Sequence, residues 1–444
     1  MTKQDFKQIA VIGDWHLAFV TSTVLADVGH EVQLVKPLNL NKDTWKEFPP
    51  IPVLEPGLED MIKQNLKAKR LSYSNGVENI RNADFIWLGV DTPVTDQDEP
   101  LLAPLIEIAQ QIAKLSFKAQ ALIVSSQIPL GFCRELEKIT GLSVVYVPEN
   151  LRLGQGIETF LRADRTIIGS DKPSSAEAVQ SLMAQFKTEF VLCNSVTAEM
   201  IKHANNAFLA TCISFANEFA RIGEKFGVDS VTVGKALKLD KRIGKAAYVI
   251  PGLGFAGGTL PRDLRVLQQL GRQEDIPTQL VDAVLQINEN TTQAISESIQ
   301  NHISKNNLPK SVLILGYTYK ADTNTLRRSL SLDLAQILKN SGFEVFGFDP
   351  IMNDQDLQSL KTEITHLDEI EKLQKCPSAI LLMTARPIFT RLNWEDLSTK
   401  NSIPCLVLDT QNFLSSAPIL KAGFIFKRLW SPAQYPQGEQ NAHR

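Results

Sequence analysis

Short apolar runs separated by helical patterns occupy the first third of the chain. The runs are rich in β-branched residues and several end at a glycine or a small polar residue; they are Gln8–Gly13, Glu31–Val35, Asp84–Val90, Ala121–Ser125 and Val144–Val147. A helical pattern over Leu17–Val28 follows the first run. Strands that alternate with helices are typical of βαβ units, so this region predicts a mostly parallel sheet.

The middle of the chain has a different pattern. Thr197–Phe226 contains almost no helix-breaking residues, and its apolar positions recur with helical spacing. At 1.5 Å per residue, this segment predicts one helix of roughly 45 Å. A helix so rich in Ala, Leu and Phe must bury its apolar face, either at a domain junction or against another subunit.

The alternation of strands and helices restarts after Asn307–Lys310. Four apolar runs predict a second, smaller sheet: Ser311–Leu315, Glu344–Phe348, Ala379–Met383 and Cys405–Leu408. The segment from Trp430 onward is polar and rich in Pro and Gln, which predicts disorder. The pattern as a whole predicts α/β, then a long helix, then α/β.

Composition narrows the class of protein. A chain of 444 residues predicts two or three domains, and 43% hydrophobic with 21% charged residues is ordinary globular usage. The net charge of −3 gives no basic excess for nucleic acid or an acidic membrane surface. The five cysteines are scattered without a CxxC pair, and no apolar run reaches the roughly 18 residues of a membrane span. We therefore expect a cytoplasmic protein without a bound metal.

The turn after the first strand is where a dinucleotide-binding loop would lie. Such a loop needs G-x-G-x-x-G, because its glycines allow a tight turn, close approach of the pyrophosphate and close helix packing. Here Gly13 keeps the first position and Ala18 is a tolerable third, but Trp15 and Asp14 stand where bare backbone should meet phosphate. The second strand ends at Lys36 instead of an acid for the ribose hydroxyls. These changes argue against ordinary NAD binding; Lys36 suits a 2′-phosphate, but Trp15 and Asp14 oppose NADP as well.

Other polar residues lie where α/β proteins place their sites. Glu149 follows a predicted strand, and Lys202 and Asn206 are four residues apart, so they share one face of the long helix. The segment Tyr248–Asp263 holds four glycines together with aromatic residues and ends in Pro-Arg-Asp. This composition favours a loop folded around a ligand over a flexible linker.

Seven motifs in order carry a resemblance to a known family. They are Glu55–Leu58 (EPGL), Thr92-Pro93, Val147–Arg152 with Ala163–Arg165, Ala198–Glu218, Asp240–Asp263, Tyr319–Ser329 and Phe348–Pro350 (FDP). On these motifs the chain resembles the UDP-glucose/GDP-mannose dehydrogenase family, which oxidises a nucleotide sugar twice to its uronic acid with NAD. The resemblance spans nearly the whole chain.

The resemblance implies a three-part fold. It predicts an N-terminal Rossmann-like domain over residues 1–196, a central helical dimerisation region over 197–300 and a C-terminal Rossmann-like, UDP-sugar-binding domain over 301–430. A disordered tail over 431–444 completes the prediction. The implied partners are a UDP-sugar and a second copy of the chain through the central helix, and pairing with an active paralogue stays open.

The catalytic positions of the family are only partly kept. By resemblance, Glu149 is the base around the hydrolytic water, Lys202 stabilises the oxyanion with Asn206 as its partner, and Asp263 orders the water. The family's nucleophilic cysteine aligns with Thr259. A thiol forms the thiohemiacetal and thioester of the second oxidation, whereas a threonine hydroxyl is a far weaker nucleophile without a strong adjacent base.

Changes also affect the cofactor side, whereas the substrate side matches better. Gln127 replaces a threonine near the reacting centre, and Leu153 replaces a carboxylate. The implied but degenerate cofactor-binding set is Gly13, Trp15, Lys36, Thr92 and Gln127. The implied substrate-binding set is Leu151, Arg242, Tyr248, Gly252, Phe255, Gly257, Lys320 and Arg327.

These losses fall on redox chemistry and spare nucleotide-sugar binding. We therefore predict a UDP-sugar-binding family member that is impaired in two-step oxidation. Two alternatives stay open: an active NAD(P)-dependent dehydrogenase with altered cofactor contacts, and a single-step oxidase or epimerase. If oxidation occurs, Thr259 predicts that it stops at the aldehyde.

Overall fold

The computed structural model describes residues 6–436 except 38–43, 53–54, 81, 96–98, 117, 150, 257, 319–320, 322–325, 327–328, 353–363 and 401–403. The chain forms two compact units, Met1–Asn205 and Asn206–Arg444, each with its own sheet. The predicted α/β architecture with a long central helix is confirmed.

The first unit is built on an eight-stranded sheet. Its strands are β1 (Gln8–Ile12), β2 (Glu31–Lys36), β3 (Leu71–Asn75), β4 (Phe85–Leu88), β5 (Ala121–Val124), β6 (Val144–Tyr146), β7 (Arg165–Gly169) and β8 (Glu189–Cys193). Their order is β3-β2-β1-β4-β5-β6-β7-β8, and all neighbours are parallel except β6 and β7. The first six strands have the doubly wound order. Strands β2 and β3 are added on one side of β1, and β4, β5 and β6 are added on its other side, so the strand order reverses between β1 and β4.

Helices cover both faces of this sheet. They are α1 (His16–Asp27), α2 (Leu58–Lys67), α3 (Ala103–Ala113), α4 (Phe132–Thr140), α5 (Gly156–Leu161) and α6 (Pro173–Leu182). Ile9 and Val11 belong to one core cluster, whereas Ala10 and Ile12 belong to the other. Burial on both faces explains why β1 is a continuous apolar run and does not alternate with polar residues.

The long helix α7 (Ser195–Glu224) crosses the boundary between the two units. The sequence prediction of Thr197–Phe226 is thus confirmed with both ends shifted by two residues. Lys202 and Asn206 both lie in this helix, as predicted.

The second unit combines helices with a six-stranded sheet. Its helices after α7 are α8 (Ser230–Leu239), α9 (Leu260–Gln273), α10 (Gln279–Lys305), α11 (Leu330–Asn340), α12 (Trp394–Thr399) and α13 (Ser416–Lys421). Its strands are β9 (Ser311–Leu315), β10 (Glu344–Phe348), β11 (Thr365–His366), β12 (Ala379–Leu382), β13 (Leu406–Asp409) and β14 (Ile425–Arg428). All pair in parallel in the order β11-β10-β9-β12-β13-β14, so a second reversal lies between β9 and β12.

The start of the C-terminal tail pairs with the sheet. Gln434 exchanges both backbone hydrogen bonds with Phe426 of β14, at 2.9 and 2.7 Å. Residues 437–444, the rest of the tail for which the sequence predicts disorder, lie outside the described residues. The domain boundaries drawn from the family resemblance stay predictions.

Candidate functional site

The expected cofactor residues gather at one edge of the first sheet. Gly13 follows β1, Lys36 ends β2, Thr92 lies beyond β4 and Gln127 lies beyond β5. In open α/β sheets, ligands bind outside the carboxyl ends of the strands where the strand order reverses. The sequence-predicted residues therefore reach the edge that a dinucleotide would use.

The turn between β1 and α1 keeps its close packing. A Cβ atom added at Gly13 would lie 2.6 Å from Ala18 Cβ and 2.7 Å from the carbonyl oxygen of Gly89. Trp15 is the N-cap residue of α1 in an ordinary extended conformation, with φ −124° and ψ 176°, and its side chain is partly exposed. The turn thus has its usual shape, but an indole stands where the fold otherwise presents bare backbone.

Lys36 takes the place of the usual ribose-binding acid at the end of β2. It interacts with an aromatic residue, Trp45, and with an acidic residue, Asp14. Lys36 is buried, and its Nζ lies 5.8 Å from the ring centroid of Trp45. Trp45 is held by Asn75, which accepts its backbone N–H at 2.7 Å and donates to its carbonyl at 2.9 Å. Burial raises the pKa of the Asp14 carboxyl, Lys36 acts against that shift, and Asp91 adds to it. These residues do not fit the ordinary contacts of an NAD ribose, which need a carboxylate acceptor.

The loop that carries Gln127 is fixed by three other residues. Thr92 Oγ1 donates to the carbonyl oxygen of Gln127 at 2.7 Å, and His203 Nε2 donates to that of Ile128 at 3.0 Å. Glu199, fully buried in α7, accepts the backbone N–H groups at positions 131 and 133, at 2.5 and 2.9 Å. Helix α7 therefore holds the first turn of α4 and the Gln127 loop in place.

Glu149 and Lys202 come together in the first unit. Lys202 Nζ donates to the carbonyl oxygen of Glu149 and lies 3.8 Å from its Oε1. The other carboxylate oxygen of Glu149 accepts the backbone N–H of Leu151 at 2.5 Å. Lys202 is buried and Glu149 is partly exposed. This arrangement places a cation beside a carboxylate and fixes the backbone that leads to Leu151.

A second buried pair lies in the second unit. Asn206 donates its side-chain amide to Asp263, which belongs to the first turn of α9 and has no exposed surface. Thr259 is the N-cap residue of α9, and its side chain is exposed and makes no capping bond. Within the described part of the second unit, no side chain hydrogen-bonds to the Thr259 hydroxyl. The hydroxyl thus has no hydrogen-bonded base among those described residues.

The glycine-rich loop, here Tyr248–Ala256, is held by asparagine side chains of two helices. Asn217 of α7 accepts the backbone N–H of Gly252 at 2.8 Å. Asn288 of α10 accepts the N–H of Phe255 at 2.7 Å and donates to its carbonyl at 2.9 Å. These bonds order the loop, in agreement with the interpretation that it is no flexible linker.

Two buried polar atoms beside this loop lack partners among the described residues. Asn412, which follows β13, donates to the carbonyl oxygen of Pro251 at 3.1 Å, and this bond leaves its Oδ1 without a partner. Asn217, fully buried, is likewise left with an unpaired Nδ2. Buried polar groups are nearly always hydrogen-bonded, so a donor and an acceptor are here available to a ligand or to water.

The remaining expected substrate residues are less informative. Tyr248 is exposed, and Arg242 is exposed and pairs with Asp240, whose carboxylate lies 2.6 Å from Arg242 Nη2. Gly257, Lys320 and Arg327 lie outside the described residues.

Sequence reasoning missed the supporting residues. Glu199, His203, Asn217, Asn288 and Asn412 hold backbone segments of the candidate site but were not predicted to do so. A polar residue on the apolar face of a long helix is the signal that would have marked Glu199 and Asn217. Which backbone group each one reaches follows only from the fold.

The described residues lack two features, a cluster of metal ligands and a membrane-spanning helix. They contain no group of three or more His, Cys, Asp or Glu side chains placed to hold a metal ion. Among the helices that the structure describes, none combines the length and apolar character needed to cross a membrane.

Sequence comparison finds the same three parts along the chain. Residues 7–187 match the NAD binding domain of the UDP-glucose/GDP-mannose dehydrogenase family, 196–290 its central domain and 313–416 its UDP binding domain. The UDP-glucose 6-dehydrogenase of Rickettsia conorii is 30% identical over 429 residues, which cover 94% of this chain and 98% of that protein. UDP-glucose 6-dehydrogenase TuaD of Bacillus subtilis is 29% identical over 436 residues, covering 96% and 94%.

Solved structures show the same fold. A UDP-glucose dehydrogenase from Pyrobaculum islandicum superposes with a TM-score of 0.82 at 24% identity, covering 96% of this chain and 98% of that one. A UDP-D-ManNAc dehydrogenase from Pyrococcus horikoshii gives 0.79 at 25% identity, covering 95% and 99%.

Proposed function

Because the chain belongs to the UDP-glucose/GDP-mannose dehydrogenase family, we propose that it binds a UDP-sugar but does not carry out two-step NAD-dependent oxidation to the uronic acid. The observation that carries the proposal is Thr259, an exposed hydroxyl without a hydrogen-bonded base in the described part of its unit, at the position of the family's thiol.

The second unit supports the binding of a UDP-sugar. The glycine-rich loop is ordered by Asn217 and Asn288, and the unpaired atoms Asn217 Nδ2 and Asn412 Oδ1 lie beside it. An ordered backbone loop with unpaired buried polar atoms suits a ligand that offers both donors and acceptors, as a nucleotide sugar does. The expected roles of Lys320 and Arg327 at the diphosphate belong to the same proposal.

The second oxidation step requires a nucleophile that this chain lacks. By the family resemblance, a thiolate would add to the aldehyde carbon, bound NAD would supply the oxidising power for the second oxidation, and the thioester formed on the protein would be hydrolysed. A thiol is partly ionised near neutral pH, whereas the Thr259 hydroxyl is not, so its addition needs a general base. Without such a base, acid formation is lost even where the aldehyde forms.

The cofactor edge supports the same conclusion. Trp15 caps α1 at the pyrophosphate position, and Lys36 lies under the Trp45 ring at the ribose position. A dinucleotide would have to displace the indole of Trp15 and find a partner for its ribose hydroxyls other than a carboxylate. We therefore propose that NAD and NADP bind weakly or not at all.

One observation favours a second candidate function. The Glu149–Lys202 and Asn206–Asp263 pairs keep a cation, carboxylates and an amide at the positions that the family uses around the reacting sugar. By the family resemblance, residues of these types suit chemistry on a nucleotide sugar that stops short of the acid, such as a single reversible oxidation or an epimerisation.

We further propose a homodimer through the central helix. Phe208, Phe215 and Ile222 are exposed at 68%, 51% and 60% and recur every seven residues on α7. Such an apolar stripe on a helix is typical of a helix–helix seam. A second copy of the chain is its proposed occupant.

Calorimetric titrations test the proposal directly. UDP-glucose, NAD and NADP are titrated separately into the purified protein, and a mixture of UDP-glucose and NAD is monitored for reduced nicotinamide. We expect UDP-glucose to bind, both dinucleotides to fail and no uronic acid to form. Micromolar NAD binding, or uronic acid detected by mass spectrometry, would overturn the redox part; absence of UDP-glucose binding would overturn the binding part.

A further inference from the structure

A buried hydrogen-bonded pair, His16 and Glu55, joins the first turn of α1 to the segment after β6. His16, the first residue of α1, donates Nε2 to Glu55 Oε2 at 2.7 Å, and both residues are 4% exposed. The Glu55 carboxylate also accepts the backbone N–H groups of Gly154 at 3.1 Å and Gly156 at 2.8 Å. Burying a carboxylate costs free energy unless hydrogen-bond donors compensate for the lost water. Without His16, the Glu55 carboxylate would keep only the two backbone donors.

The backbone at Gly156 packs directly against the His16–Glu55 pair. A Cβ atom added at Gly156 would lie 3.0 Å from His16 Cε1 and 3.1 Å from Glu55 Oε2. Gly154 adopts φ +82°, in the left-handed region that favours glycine. A side chain at position 156 would therefore crowd the pair, and the backbone conformation at position 154 favours glycine.

The other end of the same segment is fixed by Glu149. Its carboxylate accepts the N–H of Leu151, and Lys202 donates to its carbonyl oxygen. Helix α7 thus holds Glu149, and the His16–Glu55 pair holds Gly154 and Gly156.

We propose that His16 and Glu55 are positioning residues for residues 151–156. They fix the backbone that leads from Leu151 to Gly156, and they make its order depend on the first turn of α1. The importance of this order for sugar binding rests on the proposed function, because Leu151 belongs to the expected substrate-binding set. The ordering of the segment itself is independent of the proposed function.

Four variants test the pair. Glu55→Gln removes the charge, His16→Leu removes the donor, and His16→Gln keeps a neutral donor. Lys63→Gln is the matched control, because it breaks an ion pair with Glu59 that is exposed on α2. Amide hydrogen exchange of Gly154 and Gly156, the melting temperature and calorimetric titration with UDP-glucose are measured for each.

We expect Glu55→Gln and His16→Leu to speed exchange at Gly154 and Gly156 by about tenfold or more, while the strands of the first sheet keep wild-type protection. UDP-glucose affinity should fall by about fivefold or more, with His16→Gln close to wild type. Lys63→Gln should change nothing.

Unchanged exchange in both Glu55→Gln and His16→Leu would overturn the inference, as would an equal loss in His16→Gln and His16→Leu. Uniformly faster exchange throughout the first sheet would assign the pair to general stability and would also overturn it. If the wild-type protein does not bind UDP-glucose, the proposed function fails, and the exchange data still decide the role of the pair.

Discussion

Asn206 donates its side-chain amide to the carboxylate of Asp263, which has no exposed surface. The bond ties the long helix α7 to the first turn of α9, where Thr259 is the N-cap residue. Helix α7 thus also fixes the start of the helix that begins at Thr259.

Replacement of Asn206 by Ala should destabilise the protein. The change removes one donor from the buried Asp263 carboxylate, and bonds to charged groups contribute about 1.5–3 kcal/mol. Urea unfolding measures the loss. Asn205→Ala is the matched control, since Asn205 accepts from Arg165 at an exposed site and its loss should cost below about 1 kcal/mol. Equal losses in the two variants would contradict the assignment.

The buried ion pair at the edge of the second sheet should matter more than any exposed pair. Arg386 Nε lies 2.9 Å from Asp349 Oδ1, with both side chains almost fully buried. Arg386→Met leaves the carboxylate buried without this cation and should cost about 3–5 kcal/mol in the free energy of unfolding. Lys421→Met, which breaks an exposed pair with Glu395, should cost at most about 1 kcal/mol. A cost for Arg386→Met no larger than that of the control would refute this prediction.

Asp14 should make the stability of the first unit fall as pH rises. Burial raises the pKa of the Asp14 carboxyl, so the folded state binds its proton more tightly than the unfolded state. Stability is therefore highest below the unfolded pKa and falls as pH rises through the folded pKa. Asp14→Asn should raise the melting temperature at pH 7 and have little effect at about pH 3. A gain at acid pH as large as at neutral pH would contradict this explanation.

The exposed stripe on α7 predicts the oligomeric state. The wild-type protein should be a dimer by light scattering, because Phe208, Phe215 and Ile222 need a partner surface. Phe215→Lys should shift the mass to that of the monomer, since a charge in an apolar seam is left without a partner. Ile388→Lys, at another exposed apolar residue, should leave the dimer intact. A monomeric wild-type protein would refute the proposed seam.

Strands were the part of the fold that the sequence predicted best. After Gln8, β1 has four consecutive buried apolar residues. Strand β7 has the same burial pattern but only two large apolar residues, Ile167 and Ile168, and β8 is only partly buried; neither β7 nor β8 was predicted. A short strand with exposed positions lacks the continuous apolar run on which the prediction depends.

The chemistry of the site was predictable only where motifs carried it. Lys202 and Glu149 were predicted from family motifs, and they approach each other in the structure. Glu55 belongs to a quoted motif too, but its bond to Gly156 joins residues 101 positions apart. Local pattern contains no information about such a contact, and only the folded chain reveals it.

A cysteine at position 259 should be unusually reactive. Thr259 is exposed and is the N-cap residue of the 14-residue helix α9, where the helix dipole stabilises a thiolate. By contrast, burial raises the pKa of the native Cys193 and Cys212 thiols. In Thr259→Cys, the introduced thiol should be alkylated by iodoacetamide at least about tenfold faster than either native cysteine, as measured by peptide mass spectrometry. A rate equal to that of Cys212 would mean that position 259 does not activate a thiol. The replacement of a cysteine by Thr259 would then not explain the loss of the nucleophile. A fast rate without uronic acid formation from UDP-glucose and NAD would place the remaining defect at Trp15 and Lys36.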